Sequence, residues 1–129
     1  MKNTRFRTPL KIAKGHGSAK SGTGHWINQR VTAIALVPLV FLFVCTLMTL
    51  LTAQSYEEVA MRLSNPFWAT ALIVFILVGF YHGALGIQVI LEDYVAAEMP
   101  KMLLLIGLRL AAGFLAVLGT LSVLFIALS

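Results

Sequence analysis

A chain of 129 residues that is 59% hydrophobic and only 12% charged, with a mean hydropathy of +0.89, is far from a soluble domain, in which about a quarter of residues are charged. It reads as an all-α integral membrane protein. The net charge of +5 arises almost wholly from the first thirty residues, so it reports orientation in the bilayer and argues against nucleic-acid binding. The single cysteine, Cys45, excludes an intrachain disulfide and any Cys-based metal or redox motif, and its place in an apolar run gives it a packing role.

Residues 1–30 contain Lys2, Arg5, Arg7, Lys11, Lys14, Lys20 and Arg30 and no acid. Such a segment stays on the cytoplasmic side. Its glycine-rich middle, from Gly15 to His25 and including His16, lacks the GxxxxGK[ST] spacing of a phosphate loop. It reads instead as a flexible strap, with Trp26 at the headgroup level. Val31 to Leu51 is the first expected span, long enough for a hydrocarbon core of about 30 Å. Pro38 lies within it. The basic region before this span is too long, and its apolar core too extended, for a cleaved secretory signal.

Ser55-Tyr56-Glu57-Glu58 fits a capping box, and Tyr56, Val59, Ala60 and Leu63 follow at helical spacing. This predicts a short helix lying on the outer membrane surface. Pro66 suits the first position of a second span, expected to run to Ile90, with Phe67 and Trp68 forming an interfacial aromatic band. Leu91 to Lys101 is expected to return the chain to the cytoplasmic side, and Pro100 to separate that loop from a third span over residues 102–128. Gly107, Ala111, Ala112, Gly113, Ala116 and Gly119 on this last span suggest close helix contacts. The expected architecture is three transmembrane helices, spanning about residues 31–51, 66–90 and 102–128, in a bundle completed by a partner, with the N-terminus cytoplasmic.

The second span carries the candidate site. At 100° per residue, the steps from His82 to Asp93 end about 20° beyond three full turns, so the two residues share a face. Gly79, Gly83 and Gly86 lie three, one and four positions from His82 and strip bulk from its surroundings, which lets a large flat group or another helix approach the backbone. Tyr94 adds a phenol at the rim. His82 lies about 12 Å inside the expected boundary at Ile90, and Arg109 lies at nearly the same depth on the third span. Ionisable groups at such depth usually face a bundle interior, a water-filled cavity or a ligand. For His82 the plainer alternative is an imidazole bonded to a neighbouring helix. For Arg109 it is snorkelling toward the headgroups.

If His82 ligates a haem, a six-coordinate iron needs a second axial ligand. No other histidine lies within a span, and Met48 is about 25 Å from the inner boundary. The second ligand then comes from another chain, the alternative being a five-coordinate haem.

Gly24-His25-Trp26-Ile27-Asn28-Gln29-Arg30-Val31-Thr32-Ala33 ahead of the first span, together with His82 and, eleven residues later, Asp93-Tyr94, resembles the hydrophobic membrane anchor subunit of bacterial succinate dehydrogenase, the cytochrome b small subunit of respiratory complex II. The resemblance runs from about residue 17 into the third span. It implies an inner-membrane protein that anchors a flavoprotein and an iron-sulfur subunit beside a large cytochrome b anchor subunit. It also implies that His82 is one axial ligand of a haem b shared with that partner, that Tyr94 hydrogen-bonds a ubiquinone carbonyl with Asp93 beside it, and that Arg30 lies near the haem propionates. Arg109 and His25 are further candidates for the propionates. Three alternatives remain at this point: a fumarate reductase-type anchor, a small transporter using His82 and Arg109, and a non-redox assembly protein. A transporter calls for polar residues at several depths, whereas this chain concentrates them at one level.

Overall fold

The computed structural model describes residues 22–129. The basic cluster up to Lys20, most of the glycine-rich strap and His16 lie outside the described residues. Four helices follow in order: α1 (Gly22–Leu51), α2 (Tyr56–Leu63), α3 (Pro66–Tyr94) and α4 (Glu98–Ala127). Among the described residues there is no strand. The long helices α1, α3 and α4 are each apolar and long enough to cross a membrane.

All three exceed the spans expected from hydropathy. At 1.5 Å per residue a 30-residue helix such as α1 is about 45 Å long, against a hydrocarbon core of about 30 Å. The surplus extends into the interfacial zone, where polar side chains are solvated but the backbone ladder continues. Thus α1 begins nine residues before the expected Val31, and α3 continues past Ile90 through Asp93 and Tyr94. The loop expected over residues 91–101 shrinks to residues 95–97. Pro100 does not end that loop but sits in the first turn of α4, where the amide proton that proline lacks has no intrahelical acceptor anyway.

The short surface helix forms as its sequence predicts. Ser55 is its N-cap, and its hydroxyl accepts from the Glu58 N–H at 3.3 Å. The Glu58 carboxylate reaches one residue further back than in a reciprocal box, accepting from the Gln54 N–H at 2.9 Å, and pairs with Arg62. That amide bond, then Arg62, holds the Glu58 carboxyl below its ordinary value. Arg62 also donates to Thr52 Oγ1 at 2.8 Å, and Tyr56 Oη bonds Ser129 Oγ at 3.0 Å. The α1–α2 turn and the end of α4 are thereby tied together. Asn65 caps α3 by accepting from the Phe67 N–H at 3.0 Å, with Pro66 in its first turn.

α3 is the central element. It packs along α1 on one side and α4 on the other, and α2 lies against α3 and α4. Phe43 of α1 stacks on Phe75 of α3, with ring centroids 4.5 Å apart. On α4 the contact runs along Ala112, Ala116 and Gly119, where Ala116 is buried and a β-carbon at Gly119 would meet Ile76 Cγ2 at 3.1 Å. Gly107 and Gly113 have nothing within that reach, so only this part of the expected small-residue stripe serves packing within the chain. α1 and α4 splay apart across α3 and leave a groove. Thr46, only 2% exposed, donates its hydroxyl to Leu42 O of its own helix at 2.8 Å. The outer half of α1 therefore presents no free hydroxyl at this position.

Candidate functional site

His82 sits mid-way along α3, half-buried, facing α1. Its Nδ1 lies 2.8 Å from Thr32 Oγ1, and Thr32 in turn donates to Asn28 O at 2.7 Å, with Gln29 O at 3.2 Å. Among the described residues its Nε2 has no hydrogen-bond partner. A hydrogen bond of this kind contributes about 1 kcal/mol net, roughly a fivefold preference for one ring orientation. Among the described residues, apart from α3's own backbone and adjacent positions, no atom comes within 4 Å of where a β-carbon would stand at Gly79, Gly83 or Gly86. The bare face predicted around His82 is therefore left open by the described residues.

Asp93 and Tyr94 occupy the last turn of α3, about 16 Å along the helix axis from His82. Both are exposed, Tyr94 at 86%. Since α3 is unbroken between them, Asp93 points from the face of His82, as its spacing predicts. Arg30 is also exposed, its guanidinium 5.4 Å from the ring centroid of Trp26.

Arg109 is brought to a different face. Its Nη2 donates to Gln88 Oε1 at 3.4 Å, and Gln88 Nε2 donates to Glu92 Oε1 at 2.7 Å. Six steps separate His82 from Gln88, so the two project about 120° apart. With His25, Asn28 and Tyr81, these side chains line a groove of about 810 Å³ at the end where α1 begins and α3 ends. Asn28 Nδ2 donates to Tyr81 Oη at 3.3 Å across it, and the buried His25 Nε2 is unpartnered among the described residues. The chain thus carries two polar faces at one level, a histidine-glycine face and an Arg109-Gln88 face.

Sequence reasoning passed over Thr32 and the set formed by Asn28, Tyr81 and Gln88. The signal for the latter was the spacing Tyr81, Gln88, Glu92, seven and eleven positions along one helical face. For Thr32 the only signal was a hydroxyl near the depth of His82 on an antiparallel neighbour.

The donor set fits a porphyrin iron ligand. Such a group needs from this chain one unprotonated imidazole nitrogen, room for a flat ring and a cation toward its anionic edge. His82 Nε2 and the open glycine face suit the first two needs, while Arg30 is an exposed cation at the same end of α1, directed away from Thr32 and set against Trp26.

Residues 4–128 match the family described as succinate dehydrogenase/fumarate reductase transmembrane subunit. The succinate dehydrogenase hydrophobic membrane anchor subunit of Rickettsia bellii is 36% identical over 110 residues, covering 81% of this chain and 83% of that protein. The subunit of the same name from Rickettsia conorii is 33% identical over 111 residues, with the same coverage. That of Paracoccus denitrificans is 34% identical over 90 residues, covering 70% and 69%. With three long apolar helices and bacterial relatives, this is a multi-pass protein of the bacterial inner membrane. The chain belongs to the succinate dehydrogenase/fumarate reductase transmembrane subunit family, in which it acts as a succinate dehydrogenase membrane anchor.

Proposed function

We propose that this anchor supplies His82 as one axial ligand of a haem b shared with a large cytochrome b anchor subunit, and supplies Tyr94 and Asp93 to a ubiquinone site against the iron-sulfur subunit. The flavoprotein takes two electrons from succinate, the iron-sulfur subunit carries them to the membrane edge, and ubiquinone accepts them there with two protons to become ubiquinol. The N-terminus and the α3–α4 turn face the cytoplasm. The observation that carries this reading is the face of α3 around His82: an imidazole in an apolar helix, flanked by glycines against which nothing packs among the described residues.

When bound, the haem supplies a one-electron carrier beside the quinone site. The chain's own residues do the rest. His82 offers Nε2, and the glycines keep side chains out of the plane beside it. Arg30, at the end where α1 enters the membrane, provides the positive charge that anionic propionates require. Reduction of the quinone develops negative charge on its carbonyl oxygens. The Tyr94 phenol donates a hydrogen bond there, and Asp93 orients that donor or passes protons from the aqueous side. The end of α3 suits both reactants, because the apolar quinone arrives through lipid while protons arrive through water.

The test is a dithionite-reduced minus oxidised spectrum of the purified complex, wild type and His82→Leu. A b-type signal that is lost or displaced in the variant is expected. An unchanged spectrum removes His82 from the coordination sphere.

A further inference from the structure

The geometry points to Thr32 as the positioning residue that fixes which ring nitrogen His82 presents to the haem iron. This rests on the reading of His82 as an axial ligand and adds to it a residue of another helix, fifty positions away in sequence.

A count of protons decides the tautomer. A threonine hydroxyl has one proton to donate and lone pairs to accept with. Three acceptors or partners surround Thr32 Oγ1: Asn28 O at 2.7 Å, Gln29 O at 3.2 Å and His82 Nδ1 at 2.8 Å. Both carbonyls accept only, so the proton turns back along α1, toward the nearer of them. Nδ1 must then carry a proton of its own and donate it to Oγ1. The neutral ring therefore has its proton on Nδ1 and its free lone pair on Nε2, which has no partner among the described residues. Metal ligation needs that deprotonated nitrogen, and the hydrogen bond at the other nitrogen sets tautomer, ring orientation and ligand basicity.

Backbone carbonyls on α1 thus fix the hydroxyl, the hydroxyl fixes the imidazole, and the imidazole is preset for its metal before assembly. The bond also draws the Nδ1 proton away from the ring, which makes Nε2 a stronger electron donor and favours the oxidised iron. Removing the acceptor raises the reduction potential.

The experiment uses the purified complex with Thr32→Val, which keeps the shape and removes the hydroxyl, and Thr32→Ser, which restores it. Potentiometric titration of the b-type α-band and low-temperature EPR of the oxidised haem are the readouts, normalised to haem per flavin. Thr32→Val is expected to shift the midpoint upward and to shift or broaden the low-field EPR feature, with Thr32→Ser close to wild type. A Thr32→Val complex with wild-type potential and EPR overturns the assignment of Thr32 while leaving His82 as a ligand. His82→Leu with an unaltered haem spectrum removes the underlying reading instead. If Thr32→Val does not assemble, Thr32→Ala is read by the same measures. Failure of both to assemble while Thr32→Ser is intact marks the hydroxyl as a packing requirement and overturns the proposal.

Discussion

Tyr94 shows how much a single exposed side chain can carry. It stands 86% exposed at the end of a long apolar helix, and no hydrogen bond within the described residues holds its phenol. A hydrogen bond to a charged group is worth about 1.5–3 kcal/mol, or roughly ten- to a hundredfold in rate. Tyr94→Phe is expected to lower succinate:ubiquinone reductase activity by that order, while succinate oxidation with an artificial acceptor stays near wild type. Equal loss of both activities would point to failed assembly instead, and an unchanged quinone reductase activity in an assembled complex would remove the phenol from the reaction. His82 was legible in the sequence because a lone imidazole among apolar residues has few inexpensive explanations. Thr32 was not. A threonine inside a span ordinarily satisfies its hydroxyl on its own helix, as Thr46 does, and only the approach of α3 distinguishes the two.

Hydropathy at the level of elements marks the lipid-immersed part of each helix and not its hydrogen-bonded length. That is why the three spans and the capped surface helix were legible, while the ends of α1, α3 and the loop at residues 95–97 were not. Small residues raise a related ambiguity, since glycine on a membrane helix marks close approach without naming what approaches. The structure separates two uses. A β-carbon at Gly119 would meet Ile76, whereas one at Gly86 would meet nothing among the described residues. Glycine is about 0.8–1 kcal/mol less favourable in a helix than alanine, and leucine ranks close to alanine, so Gly86→Leu should leave α3 intact and even favour it. On the face of His82, however, the added side chain would occupy the space proposed for the porphyrin or the partner helix. The expected result is normal amounts of this chain in membranes, with haem per chain sharply reduced. Undiminished haem in that variant would show that the glycine face does not border the cofactor.

As a whole molecule the chain has little interior. Among the described residues Leu63, Ala69, Leu72, Leu85 and Ala116 are the buried hydrophobic ones, while large apolar side chains along every long helix are exposed. Composition reveals that these surfaces meet something apolar, but lipid tails and a partner helix look alike to it. The orientation is more decidable, because the basic residues gathered before α1 bias that end to the cytoplasm, and three spans then place the α1–α2 turn outside and the α3–α4 turn inside. Cys45 is the single cysteine and lies within α1, so an aqueous thiol reagent meets little background. A Gln54→Cys chain should react with a membrane-impermeant maleimide in intact spheroplasts. An Ala96→Cys chain should react only once the membrane is opened. The reverse pattern would carry Asp93 and Tyr94 to the outer surface, away from any iron-sulfur subunit on the cytoplasmic side, and the quinone site proposed for the end of α3 would fall with it.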